Sequence, residues 1–225
     1  MIAFILRRLA QAVGVLLAVG FIAFSLFTYI GDPINAMVGQ DTSMEDREEL
    51  RRKLGLNDSP PLQFARFIGN AASGRFGLSY RTSDPAGRLI LERLPATLEL
   101  SLCAAIFAVG LGVPLGVYTG LYPRHWTSRA LQAVSLVGIS LPTFLIGIML
   151  ILLFAVILNV LPSFGRGDTV KFGWWTSGFF TWSGLKALIL PSITLGLFQL
   201  TLIMRLVRSE MLEVMRTDYI KFARA

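Results

Sequence analysis

Residues 96–121 read ATLELSLCAAIFAVGLGVPLGVYTGL, and Glu99 is the single charged side chain among them. At the helical rise of 1.5 Å per residue, about twenty apolar residues cross the hydrocarbon of a bilayer. A chain in lipid can leave no backbone group unpaired, so a stretch this long and this apolar reads as a transmembrane helix. Three more runs meet the same length, at 9–30, 131–158 and 187–206. The composition agrees: 54% of residues are hydrophobic, 16% are charged and mean hydropathy is +0.63, outside the usual range of a soluble domain. The expectation is an all-α integral membrane protein with four transmembrane helices. Arg7 and Arg8 before the first run suggest a signal peptide, but the apolar stretch is too long and no small-x-small cleavage site follows, so it reads as an uncleaved anchor.

Basic residues in short flanking segments set the expected orientation. Arg7 and Arg8 precede the first run, Arg124 and Arg129 separate the second from the third, and Arg205, Arg208, Arg216, Lys221 and Arg224 follow the fourth. These belong on the cytoplasmic side, which puts the N-terminus there too. The connection 31–95 balances nine Lys/Arg against nine Asp/Glu and is long enough to translocate regardless of charge. Arg166, Lys171 and Lys186 are the weak point, because they fall in the loop assigned to the outside. The net charge of +7 is therefore mostly an inside-facing bias and no sign of a nucleic-acid partner.

The external connection should itself be helical. TSMEDREELRRKLGL starts with a capping box from Thr42 to Glu45, carries Glu48/Arg52 and Glu49/Lys53 pairs four apart, and stops at Gly55. In PLQFARFIGNAA, Leu62, Phe64, Phe67, Ile68 and Ala71 form a broad apolar side for the membrane surface or for other external helices. The second external loop gathers Trp174, Trp175, Phe179, Phe180 and Trp182 in KFGWWTSGFFTW; an aromatic belt at the headgroups is the ordinary reading and a docking surface the sharper one. The expected organisation is an N-terminus and first crossing over 1–30, an external loop over 31–95, three crossings over 96–206, and the start of a cytoplasmic loop over 207–225.

Inside the membrane, Gly112, Gly116 and Gly120 recur every fourth residue, a spacing that lets helix backbones approach in lipid. Pro114 interrupts the same helix. Pro142, flanked by Ser140 and Thr143, removes a backbone bond near the start of the third run; it reads as an ordinary kink or as a gate hinge. Glu99 stands in the first turns after Pro95, where the helix dipole and headgroup water favour its charge, so interfacial anchoring is the expected role. Cys103 and His125 are each single, which excludes an internal disulfide and any cysteine–histidine metal site built by this chain alone.

From Arg205 the chain turns amphipathic. Val207, Met211, Val214 and Met215, extended by Leu212, Tyr219 and Phe222, form an apolar side against Arg208, Glu213, Arg216 and Lys221. A cytoplasmic helix with such a stripe needs either the membrane surface or another subunit.

The closing RSEMLEVMRTDYIKFARA (208–225) resembles the start of the cytoplasmic loop of bacterial ABC-transporter permeases, in the form R-S-x-M-L-E-V-x-x-x-D-Y-I-x-x-A-R-A used by the dipeptide/oligopeptide/nickel family. FILRRL, LGLNDSPPLQF, GRFGLSYRTSDP, RLPATLELSL, SLPTFLIGIMLILLFAVILNVLP and ILPSITLGL resemble that family's first permease subunit in the same order. Two external spots depart from it: YIGDP lacks a preceding proline, and Arg75 stands where an acid is common.

The resemblance implies a multi-pass subunit of the bacterial inner membrane that forms half of the translocation pore of an ATP-driven importer. Its partners would be a second homologous permease, two cytoplasmic ATPase subunits and an external substrate-binding protein. Peptides are the first substrate class, with glutathione, nickel chelates and some sugars carried by similar permeases. Residues Arg216, Asp218, Tyr219, Ile220, Phe222, Ala223 and Ala225 would dock an ATPase subunit. Family members complete this loop and add two crossings, six in all, so the chain is read as truncated. No G-x-x-x-x-G-K-[ST] motif occurs, so ATP and Mg would be held by the partner subunits, with no cofactor or enzyme activity in this chain.

Overall fold

The computed structural model describes residues 1–29, 34, 38, 43–79, 82, 84–217, 220 and 222. Two compact units divide the chain, Met1–Leu91 and Glu92–Ala225.

In the first unit, helix α1 (Ile2–Tyr29) has a membrane-spanning stretch from Ile2 to Leu26 with none of its most apolar window buried in the protein. Such a helix is stable only with lipid or other subunits around it. Helix α2 (Met44–Leu54) is capped by Ser43, whose hydroxyl accepts from the Asp46 N–H at 3.1 Å and donates to the Asp46 carboxylate at 2.7 Å. The cap thus falls one residue beyond the Thr42–Glu45 box expected from sequence; Thr42 lies outside the described residues. The helix does end at Gly55, at φ 67°, a left-handed position open to glycine at little cost. Lys53 pairs with Glu49 at 2.7 Å, whereas Glu48 accepts from Asn57 at 3.1 Å.

Helix α3 (Pro60–Ala72) starts on a proline, which suits a first helical turn. Its apolar side meets α1: Phe64 lies 5.5 Å from Phe21 and 5.6 Å from Phe24, and Phe67 lies 6.1 Å from Phe24, all between ring centroids. Part of the apolar side expected to lie on the membrane or on other external helices therefore packs on the C-terminal half of the anchor helix, while Leu62 and much of Phe67 stay exposed. Arg66–Asp58 at 2.6 Å, with Gln63 donating to the Leu56 and Asp58 carbonyls, fixes the turn between α2 and α3.

In the second unit two long helices dominate. Helix α4 (Ala86–Leu121) runs unbroken through Pro95 and Pro114, and α7 (Trp182–Val214) through Pro191. Both are long and apolar enough to cross a membrane. They meet along small residues. A methyl group on Gly116 would stand 2.7 Å from Val207 Cβ and 2.9 Å from the Met204 carbonyl oxygen; on Gly120, 2.6 Å from Met211 Cβ; on Gly112, 3.1 Å from the Leu200 carbonyl. The contact is reciprocal, since a methyl on Gly196 of α7 would meet the ring of Phe107 at 2.6 Å and the Ala104 carbonyl at 3.0 Å. Ala104, Ala108, Leu200 and Met204 are buried along this seam.

The third apolar run is not one helix. Helix α5 (Trp126–Ser140) ends before Leu141, Pro142 has φ −58° and ψ 136°, and α6 (Thr143–Ile151) begins after it and passes into a π-helical stretch, Leu152–Ile157. The extended ψ makes Pro142 a helix break, larger than the kink a proline within a helix produces. The Ser140 hydroxyl donates to the Leu136 carbonyl at 2.8 Å at the end of α5. Both pieces still rest on α7: Gly138 faces Thr201 and Gly147 faces Thr194, where an added methyl would stand 3.4 Å from the threonine side chain, in ordinary van der Waals contact. Of the four crossings expected, three correspond to continuous helices long and apolar enough to cross a membrane, α1, α4 and α7, and the third run to an apolar helix of shorter length, Thr143–Ile157, following α5.

The loop before α7 contains a strand pair absent from the sequence reading. Strands β1 (Val170–Phe172) and β2 (Trp175–Ser177) form an antiparallel hairpin. Gly173, at φ 60°, provides the positive φ its two-residue turn requires.

The seam predicts opposite outcomes for two glycines on one helix. Gly116→Ala should destabilise the chain by about 1–3 kcal/mol, because the facing Met204 carbonyl is backbone and cannot retreat as a flexible side chain would. Gly110, with nothing within 4 Å of an added methyl, should tolerate Gly110→Ala or gain up to about 1 kcal/mol from helix propensity. Thermal unfolding of both variants in detergent is the measurement.

Candidate functional site

The most constrained polar site joins the start of α4 to the loop ahead of α7. Glu99 is 2% exposed, so its carboxylate faces protein rather than headgroup water, which corrects the anchoring role expected of it. Its Oε2 accepts from Arg166 Nη2 at 3.2 Å and from the Gly178 N–H at 3.1 Å. Arg166 also donates through Nη1 to Thr176 Oγ1 and through Nη2 to the Thr176 carbonyl, both at 3.0 Å. One guanidinium thus ties the second hairpin strand to a carboxylate 67 residues earlier.

A lone buried carboxylate would be expensive in a low-dielectric setting; an arginine and a backbone N–H together offset much of that cost. The same loop is tied to α7 from the other side. Thr181 caps α7 by accepting from the Gly184 N–H at 3.1 Å, and its hydroxyl donates to the Asp168 carbonyl. Ser183 donates to the Asp168 carboxylate at 2.6 Å and accepts from the Asp168 N–H at 2.9 Å. Asp168 thereby also places negative charge at the positive end of α7.

Sequence reasoning singled out Glu99 and, separately, Arg166 as anomalies. The structure pairs them. Lys186, a second of the three basic residues in the loop assigned to the outside from sequence, lies 5.6 Å from the Trp182 ring centroid. Thr176, Gly178 and the hairpin itself were missed; the one available signal was that the lone acid of an apolar run and a misplaced arginine could satisfy each other. Around this hairpin Phe164, Trp174, Phe180 and Trp182 are exposed, while Trp174 and Trp175 meet edge to face at 5.5 Å.

The remaining candidates fall at three places. Pro114 lies inside α4 between Gly112 and Gly116, on the helix that faces α7; Ser140 and Pro142 lie at the α5–α6 break. The closing segment is not a continuation of one amphipathic helix from Arg205. Val207 and Met211 pack on Gly116 and Gly120, and α7 ends at Val214, where Arg216 and Thr217 N–H groups bond back to Glu213 and Val214 in a turn. Beyond the turn, Ile220 and Phe222 are helical, Ile220 half-buried and Phe222 87% exposed. Arg216 is exposed, and Asp218, Tyr219, Ala223 and Ala225 lie outside the described residues. Among the described residues no group of three or more His, Cys, Asp or Glu side chains could hold a metal.

Two family models cover the chain: the N-terminal part of a binding-protein-dependent transport system membrane component over residues 1–101, and the inner membrane component of such systems over residues 112–225. The chain belongs to this permease family. A putative peptide transport system permease of Brucella abortus is 36% identical over the whole chain, which spans 69% of that protein. The dipeptide transport permease DppB of Alkalihalophilus pseudofirmus is 35% identical, with 72% of its length spanned, and DppB of Escherichia coli is 33% identical, with 71% spanned. The protein is thus a multi-pass inner-membrane ABC permease of a binding-protein-dependent transport system, a non-enzymatic subunit.

Removing Arg166 would leave Glu99 buried without its cation. Arg166→Ala should lower stability by about 2–3 kcal/mol, less than for a fully buried pair because water reaches Arg166. Glu99→Gln should cost less, since an amide oxygen still accepts from Gly178. Thermal unfolding in detergent, with limited proteolysis of the hairpin as a local readout, checks the order of the two.

Proposed function

We propose that the chain forms half of the translocation pore of an ATP-driven importer for peptides or related small solutes, pairs with a second homologous permease, and docks a cytoplasmic ATPase subunit through residues after α7. Phe222 carries the docking part of this reading. A phenylalanine 87% exposed on a helical segment beyond the membrane span is costly in water and suits an apolar groove on a partner. ATP and Mg would reside in the two ATPase subunits, and an external binding protein would deliver substrate.

The mechanism follows from stiffness. Helix α7 is continuous from Thr181, which it shares with the external loop, to Val214, next to the docking segment. Its glycine seam with α4 leaves no room for independent sliding, so displacement of the docking segment would move α4 and α7 together. The α5–α6 break at Pro142 would absorb the change in angle, because its freed backbone dihedrals require no helical hydrogen bond to be broken. Closure of the ATPases on ATP then favours one access state over the other by differential binding. The orientation required has the N-terminus and the 122–125 turn in the cytoplasm, as the distribution of arginines indicates.

Two measurements test this. Phe222→Asp in the assembled transporter would place an unpaired charge in an apolar groove, a cost of several kcal/mol if buried. Co-purification of the ATPase subunits should fall more than tenfold while pairing with the second permease survives; equal recovery would end the docking assignment. A reporter active only outside the cytoplasm should be active when fused after Asn57 and inactive after Arg129, and the reverse pattern would invert the topology.

A further inference from the structure

A groove of about 320 Å³ lies between α5 and α7, lined among others by Gln132, Ser135 and Leu136 of one helix and Arg205 and Arg208 of the other. Its polar side chains are not equally available. The Gln132 amide donates to the Ser128 carbonyl at 2.9 Å, and the Ser135 hydroxyl donates to the Gln132 carbonyl at 2.8 Å. Neither guanidinium has an ion pair or hydrogen bond among the described residues. The groove therefore offers two unpaired cations, each with a fork of N–H donors suited to a phosphate.

Its height in the membrane is set by the sequence of α7. No charge occurs between Lys186 and Arg205. The 18 residues between them, 19 helical steps from Lys186 to Arg205, span roughly 28 Å at the helical rise, close to the hydrocarbon thickness of a bilayer. Arg205 and Arg208 consequently sit at one headgroup layer. Helix α5 begins toward the same end with Trp126, 72% exposed, as aromatic side chains at an interface do. On the hydrocarbon side of the groove Leu136 is 55% exposed, an apolar wall for an acyl chain.

We propose that this groove binds the phosphate headgroup of an anionic phospholipid, with Arg205 and Arg208 holding the phosphodiester and the acyl chain lying past Leu136. Basic pockets between membrane helices at the headgroup level recognise anionic lipids through this combination of charge and adjoining apolar surface. Lipid is favoured over a free anion because the cations and the exposed leucine share one opening at the height where phosphodiesters are concentrated. The inference rests on membrane insertion alone and holds for either orientation of the chain.

The test is native mass spectrometry of the purified chain, delipidated and titrated with phosphatidylglycerol or phosphatidylcholine, with thermal unfolding in parallel. Phosphatidylglycerol should bind and raise the unfolding temperature, and phosphatidylcholine should do neither at the same concentration. In Arg205→Gln/Arg208→Gln the affinity for phosphatidylglycerol should fall about 30-fold, roughly fivefold for each cation near a charged lipid surface. Arg205→Lys/Arg208→Lys retains the charges and should keep the preference while losing the fork geometry, which separates recognition from misfolding. Equal binding of the two lipids, or undiminished binding by the glutamine variant, would overturn the proposal. Competition by millimolar inorganic phosphate would reassign the groove to a free anion. Loss of bound phosphatidylglycerol on pairing with a second permease, with no lipid retained, would reassign it to the subunit interface.

Discussion

The backbone-to-backbone approach of α4 and α7 governs the rest of the second unit. In lipid the hydrophobic effect does not drive helices together, so association rests on van der Waals contact and on polar groups that find partners. Gly112, Gly116 and Gly120 meet α7 at distances that leave no room for a methyl group, and Gly196 does the same for α4 in return. Four missing side chains give a seam along which the two helices form one body. That body is long and continuous, running from the loop before α7 to Val214.

Two polar devices sit toward its two ends and use opposite strategies. At the start of α4 and α7, Arg166 and the Gly178 N–H both hold Glu99 Oε2, while Oε1 is buried without a hydrogen-bond partner among the described residues, so the ion pair fixes a loop. Toward the end of α7, Arg205 and Arg208 have no ion pair or hydrogen bond among the described residues. Buried charge is kept only where it is paired, while cations at the headgroup layer can be left for the lipid to neutralise. The third apolar run differs again. Broken at Pro142 and π-helical from Leu152, it still packs along α7 on both sides of the break, with Gly138 facing Thr201 and Gly147 facing Thr194.

Much of this was legible in the residues. Length and apolarity marked the spans, because a bilayer imposes one thickness on every helix that crosses it. The Gly55 stop and the Glu49/Lys53 pair were readable since both depend only on local spacing. The family was readable from its closing motif and from ordered matches along the chain. The placement of the α2 cap missed by one residue, as adjacent Thr42 and Ser43 offer similar side chains and spacing alone does not choose between them.

What the tertiary structure decided were the partners of side chains distant in sequence. The lone carboxylate of an apolar run says nothing by itself about which cation answers it; the Glu99–Arg166 pair exists because the loop before α7 folds back onto α4 through a hairpin whose strands are too short to show periodicity. Likewise the apolar stripe from Val207 to Met211 looks, in sequence, like a surface awaiting another subunit, and only the packing shows it already covered by Gly116 and Gly120. Periodicity tells which face of a helix is apolar, but only the approach of a second backbone determines whether that face is still free. The sequence by itself determined membrane insertion, helix lengths and family, since these follow from local chemistry meeting a solvent of fixed thickness. The seam, the latch and the open pair of arginines depend on three-dimensional proximity, and no local pattern encodes it.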